Sequence, residues 1–248
     1  VAIDWFRSRF SQALTEIESN FTQFRLSEAL MSTYKLVWDD FCAWYLEMIK
    51  PVYGQPIDKE TYQHTVAFFE DVLRILHPFM PFITEELWHD ELFGERSEMD
   101  CCIVAQLPEI EQINAQLLRE IEIVKQAITD IRNTRNSKQI SPKEALGLSV
   151  KVNSAINYSR YETIIRKMAN INQFEMVNEK VNGAASFIVS KDEFYIPLTK
   201  NIDPAAETER LNKEKEYLHG FLKSVDAKLG NERFMNNAKP EIIENELK

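Results

Sequence analysis

By residue type, the side chains best suited to chemistry are four histidines and three cysteines. His77, His89, Cys101 and Cys102 cluster in sequence, as metal ligands would. A zinc knuckle needs a closely spaced Cys or His pair aimed at one ion, and no such pair occurs. Cys101 and Cys102 are adjacent, so their side chains diverge in most backbones, and ordinary connector residues are the simpler reading. Nucleophilic and phosphate chemistry also lack a framework. There is no Gly-x-Ser-x-Gly elbow, no phosphate loop and no His-Glu-x-x-His helix. The acidic pairs Asp39–Asp40 and Glu85–Glu86 fit helix-surface or N-terminal charge better than a catalytic dyad. No catalytic residue and no metal ligand is assigned.

The elements that position these residues follow from hydrophobic period. Phe6, Phe10, Ala13, Ile17, Phe21 and Phe24 recur at helical gaps, and a break follows between Thr22 and Leu26. A second stripe runs through Leu30, Tyr34, Val37, Phe41, Trp44/Tyr45 and Met48 to Pro51. The stretch Pro51 to Pro56 predicts a loop. Asp58 predicts an N-cap for a third helix with Tyr62, Val66, Phe69, Leu73 and Leu76 on one face. His77 to Pro81 breaks it, and Thr84 to Trp88 opens a fourth helix. Ile110, Ile113, Leu117, Ile121, Val124, Ile128 and Ile131 define a long fifth. Trp38, Phe41, Trp44 and Tyr45 are expected in the core, with Phe79, Met80 and Phe82 as core and corner residues.

After residue 140 the period changes to two. Leu146 to Val152 reads as a half-buried strand, Tyr158 to Met168 as a helix. Phe174 to Val177, Ser186 to Val189 and Phe194 to Leu198 read as short strands, the last two joined by a turn. From Asp203–Pro204 the chain is helical again, with a thin heptad-like seam at Leu211, Leu218, Leu222, Val225 and Leu229. Gly230–Asn231 stops that helix and Pro240 starts another, so an antiparallel hairpin cut short at Lys248 is expected. The fold class is therefore mainly α: a helical bundle over 1–140, a small α/β module over 141–200 and the start of a helical arm over 201–248.

Composition agrees. The 248 residues are 44% hydrophobic and 27% charged, with only six glycines, which excludes wholesale disorder and argues against Gly-rich nucleotide loops. Three cysteines are too few for a disulfide framework and suit a reduced, cytoplasmic setting. No apolar run is long enough for a membrane span, and no basic-then-apolar leader opens the chain. The net charge is −10, yet residues 119–167 carry ten basic and five acidic side chains. A polyanion responds to such a local face, so a nucleic-acid partner remains compatible with the acidic total.

Two blocks carry a resemblance. Leu36 to Pro51 (LVWDDFCAWYLEMIKP) resembles the second bundle helix of class I aminoacyl-tRNA synthetases. Leu76 to Trp88 (LHPFMPFITEELW) resembles the helix-breaking block of the same anticodon-binding bundle. Lys228 to Phe234, continued by Lys239 to Ile243, resembles the tip of the C-terminal coiled-coil arm of the valyl-tRNA synthetase family. Ile131 to Arg135, leading to Ile140–Ser141–Pro142, resembles the turn into that family's small α/β module. The likeness covers essentially the whole chain. The His-x-Gly-His and Lys-Met-Ser-Lys-Ser type motifs of class I catalysis are missing, as is an editing insertion.

The resemblance implies a tRNA-binding C-terminal part of an enzyme of that family, with no catalysis by this chain alone. It implies valine tRNA as partner, together with the catalytic and editing domains of the same parent chain. ATP with magnesium would serve the parent, no cofactor would bind here, and the protein would be a monomer that meets no membrane. The isoleucyl family is an alternative, disfavoured by the lack of a Cys-rich zinc module. A helical interaction scaffold with no RNA role is the other.

Helix ends, where bases can stack and phosphates meet donors, supply the candidate residues. Trp5, Arg7 and Arg9 begin the first helix, and Lys59, Tyr62 and Gln63 begin the third; these are the anticodon candidates. Arg132, Arg135 and Lys138 end the fifth helix and are backbone candidates, although the helix dipole alone would favour cations there. On the arm, Arg210, Lys213, Tyr217, Ser224 and Lys228 share one strip of the helical wheel.

Overall fold

A computed structural model describes residues 1–97, 99–197 and 204–229. Residues 1–197 form one compact unit, and the remainder belongs to a second. Helix α1 spans Ala2–Thr22 and turns back through Phe24, which has φ 57° and is 90% exposed. The return helix is continuous but changes its winding. It is α-helical over Leu26–Tyr34 (α2), π-helical over Lys35–Tyr45 and α-helical again over Leu46–Ile49 (α3). Helix α4 (Lys59–Leu76) begins at the expected cap, where the Asp58 carboxylate accepts the Thr61 N–H at 2.8 Å. Helix α5 (Pro81–Trp88) starts three residues earlier than its acidic turn suggested, because Pro81 suits the first helical position. A long connector with two short 3₁₀ turns leads to α6 (Ala115–Ser137). The Oγ atoms of Ser8 and Ser11 accept the N–H groups of Asn114 and Glu111, which straps the connector to α1.

The bundle core is aromatic. Phe6 is fully buried and meets the rings of Trp5, Phe10, Phe41, Tyr45 and Phe68 at centroid distances of 4.8–6.2 Å. Such edge and offset contacts add to simple burial. Phe6→Leu should keep the bundle folded but cost about 1–2 kcal/mol, because Leu cannot restore five ring contacts. Urea unfolding followed by circular dichroism reads that loss as a lower midpoint at unchanged slope.

The α/β module is a four-stranded sheet in the order β2-β1-β4-β3. Strands β1 (Leu146–Lys151) and β2 (Ile171–Met176) are parallel, joined by a crossover that contains α7 (Glu162–Ala169). Strands β3 (Ala184–Val189) and β4 (Asp192–Pro197) form the expected hairpin, turning at Ser190–Lys191, and β4 pairs antiparallel with β1. The sheet does not stand apart from the helices, since Leu148, Val150 and Ile165 join Phe6 and Ile128 in one continuous core. The Lys167 ammonium donates to the carbonyls of Met48 and Lys50, closing the C-terminal end of α3 onto α7.

The second unit contains α8 (Pro204–Leu229). Leu218 and Leu222 of the expected seam are exposed. The side chain of Leu211 and the second arm of the expected hairpin lie outside what the structure describes, so only the first arm is described.

Candidate nucleic-acid interface

The N-terminal end of α4 presents a group of exposed side chains. Lys59 and Gln63 are exposed, Tyr62 is 46% exposed, and Lys59 makes no ion pair among the described residues. The Thr61 N–H holds the Asp58 carboxyl below its usual range, so the cap stays ionised and satisfies one orphan donor. Just before the helix, Pro51 to Pro56 forms a loop in which Gly54 takes φ +80° and Tyr53 is fully exposed. Tyr53 was not singled out from the sequence, although an aromatic between turn-forming Pro and Gly residues is a readable signal. Arg7 reaches this corner from α1, its guanidinium 3.4 Å from His64 Nδ1 and 3.6 Å from the Glu111 carboxylate. Tertiary packing thus brings two candidates distant in sequence, Arg7 and the start of α4, to one place.

Trp5 and Arg9 do not join them. Trp5 is 2% exposed, packed on Phe6 beneath the Lys125 ammonium, and offers no face to a base. Arg9 donates to Asp40 at 2.8 Å and to Gln12. Asp40 also corrects the expectation of surface charge. It is 6% exposed within the π-helical stretch, held between Arg9 and Lys125. A buried carboxylate survives there because two cations flank it. Asp39 is exposed, as expected of it.

The end of α6 divides in the same way. Arg132 is exposed but donates to the Met168 carbonyl, and Lys138 is half-buried and also engaged. Arg135 is 4% exposed, and its guanidinium donates to the carbonyls of Ser141, Glu144, Ala169 and Asn170. Burial lowers its pKa while Glu144 raises it. Arg135 is therefore a clamp between α6 and the module, not a free cation for a phosphate.

On α8, Lys213, Tyr217 and Ser224 are exposed, and Lys213 has an interaction of its own. The side chains of Arg210 and Lys228 lie outside the described residues. Two aromatic assignments need correction. Trp38, expected in the core, is 61% exposed, while Phe41 and Tyr45 are buried and Trp44 is half-buried. Phe82 and Met80, expected as core and corner, are 91% and 50% exposed, whereas Phe79 stacks on Phe21. The π-helical winding explains Trp38: with i→i+5 bonding, Leu36, Phe41 and Tyr45 turn inward and position 38 turns out. Among the described residues, no group of three His, Cys, Asp or Glu side chains is placed to hold a metal ion. Glu85 instead accepts the Cys102 N–H, between His77 and His89. No described helix is long and apolar enough to cross a membrane.

Comparison with known proteins adds to this geometry. Over its whole length the chain is similar to valine–tRNA ligases. It is 43% identical to that of Christiangramia forsetii over 98% of this chain and 27% of the relative. The identity is 44% for Parabacteroides distasonis and 41% for Bacteroides thetaiotaomicron, each over 100% of this chain and 28% of the relative. The chain thus spans under a third of the length of these relatives. Residues 4–152, which hold the whole bundle and β1, match the family model described as the anticodon-binding domain of tRNA ligase. On that match the chain belongs to the anticodon-binding domain family of tRNA ligases.

Proposed function

We propose that this chain is the tRNA-binding part of a valine–tRNA ligase and positions valine tRNA for aminoacylation elsewhere in the parent protein. The observation that carries this reading is the match of the bundle to an anticodon-binding domain inside a full-length likeness to valine–tRNA ligases. In this reading the chain performs no catalysis itself. ATP and magnesium serve the parent's catalytic domain, which with an editing domain is its covalent partner, in a cytoplasmic monomer. The bundle (1–140), the α/β module (141–200) and the arm (201–248) take different parts of the RNA.

The anticodon loop would meet the start of α4, where Lys59, Tyr62 and Gln63 are exposed, Arg7 reaches the neighbouring His64 and Tyr53 is exposed in the preceding loop. Exposed aromatics stack on unpaired bases, and Lys59 supplies a charge that is not already neutralised. Arg132 and Lys138 remain backbone candidates. Arg210, Lys213, Tyr217 and Lys228 on the arm would meet phosphates, which position RNA without reading sequence.

Fluorescence anisotropy with valine tRNA and a non-cognate tRNA, across a salt series, tests the reading. The chain should prefer valine tRNA, and Lys59→Ala with Tyr62→Ala should weaken that complex by roughly 10- to 100-fold, the worth of one stacked base and one phosphate. Arg210, Lys213 and Lys228 changed together to Ala should weaken both tRNAs alike, each lost contact flattening the log–log salt slope by roughly 0.7–0.9. Equal binding of both tRNAs, unmoved by either variant, would refute the proposal.

A further inference from the structure

The outward face of the return helix carries an apolar stripe for which neither the bundle nor the proposed tRNA site accounts. Leu26, Leu30, Tyr34 and Trp38 are 57%, 47%, 52% and 61% exposed, and Met31 beside them is 54% exposed. They recur every fourth residue. In a pure α-helix that spacing drifts around the axis, because a turn holds about 3.6 residues. Here the winding widens to i→i+5 at Lys35, and the wider turn brings position 38 back under position 34. The result is visible in the rings, since Tyr34 and Trp38 lie nearly parallel, 11° apart, with centroids 6.3 Å from each other. The adjoining face, with Ala29, Thr33 and Leu36, is already buried, so the helix carries more apolar surface than the bundle covers. Apolar surface left over beside a packed face suits a second partner.

We infer that this stripe is the seat of another helix of the same parent chain, supplied from outside these 248 residues. The inference rests on the reading that the chain is part of a longer ligase, and four observations favour this occupant. About 72% of the length of these relatives lies outside the 28% that this chain covers, so a covalently linked partner exists in each of them. The stripe spans the thirteen residues from Leu26 to Trp38, roughly 18 Å or a little over three turns of a helix, which matches one helix laid alongside. No charged residue lies within it, and Lys35 and Glu28 only border it. An RNA would need cations along the stripe, whereas residues 1–100 carry eight basic against eighteen acidic side chains. Contiguous exposed apolar surface of this kind marks an interaction site in a soluble protein.

Cysteine accessibility tests the assignment. Leu30→Cys, an exposed position that folding does not depend on, is placed both in this chain and in the full-length ligase, and maleimide modification is followed by peptide mass spectrometry. Without tRNA, position 30 should react at least roughly tenfold more slowly in the full-length protein than in the isolated chain, as burial of a site predicts. Trp38→Ser should leave the unfolding midpoint of the isolated chain unchanged and lower that of the full-length protein. Equal reactivity of position 30 in both proteins would overturn the inference. Protection that arises only when tRNA is added would assign the stripe to RNA, and protection that rises with protein concentration would assign it to a second copy; either overturns it. Because the deciding measurement contains no tRNA, it stands or falls separately from the tRNA-binding proposal.

Discussion

Arg135→Ala lowers the unfolding free energy of the Val1–Pro197 unit by about 2–4 kcal/mol, the cost of removing a buried cationic donor shared by four backbone carbonyls. One guanidinium nitrogen bonds the carbonyls of Ser141 and Glu144 at 3.2 and 2.7 Å, and the other bonds those of Ala169 and Asn170, both at 2.9 Å. These carbonyls come from the linker before β1 and from the left-handed end of α7, where Asn170 has φ 52°. Without the fork, the Ala169 carbonyl loses this donor, and those of Ser141, Glu144 and Asn170 each lose one of two, keeping the Glu144 N–H, the Asn170 side-chain amide and the Leu146 N–H. Arg135→Lys keeps the charge but not the planar geometry, so it should recover less than half of the loss. Urea titration of the three proteins checks this. An Arg135→Ala midpoint equal to the parent's would show that the clamp contributes nothing, and would return Arg135 to the phosphate-binding candidates.

Asp192→Ala has a comparable cost, about 3–5 kcal/mol at neutral pH, with a distinctive pH signature. Asp192 is fully buried at the start of β4 and accepts four hydrogen bonds. These come from the backbone N–H groups of Asn153 and Ser154, the Ser154 hydroxyl at 2.6 Å and the Tyr158 hydroxyl at 2.7 Å. Burial alone would raise its pKa, but those four donors prevail and hold it below the usual carboxylate value. A carboxyl depressed in the folded state stabilises the fold at all pH above its unfolded value, near 3.9, and loses that contribution as the pH falls towards the folded value. The gap between parent and Asp192→Ala should therefore be widest at neutral pH and shrink below about pH 4. Thermal unfolding measured from pH 7 down to pH 3 reads it. A gap that is constant with pH would mean that Asp192 acts through packing alone.

Helix ends were the most legible feature of the chain. The Asp58 cap, the Pro51 stop and the switch of period after residue 140 are decided within a few residues by backbone sterics and local hydrogen bonds. They survive unchanged in the fold. Rotation about a helix axis was less legible. On α4 the expected stripe of Tyr62, Val66, Phe69, Leu73 and Leu76 is only partly the face that packs: Leu73 is buried, but so are Phe68, Val72 and Ile75 beside it, while Tyr62 is exposed. Aromatic-rich helices carry apolar residues on more than one side, and periodicity alone does not say which side meets a neighbour.

The sequence by itself determined the order of helices and strands, the mainly α class and helix boundaries such as the Asp58 cap, because those depend on neighbours along the chain. It placed the starts of α5 at Thr84 instead of Pro81 and of α6 at Ile110 instead of Ala115. Tertiary structure alone decided which of the cations and aromatics remain available to a partner. Arg9 is spent on Asp40, 31 residues away, Arg135 on carbonyls up to 35 residues away, and Trp5 on the core. Lys59, Tyr62 and Trp38 are left in solvent. An ionic or aromatic side chain is neutralised or buried by whatever packing places within a few ångströms of it. Those neighbours come from remote parts of the chain and are set only when the bundle and sheet close around one core.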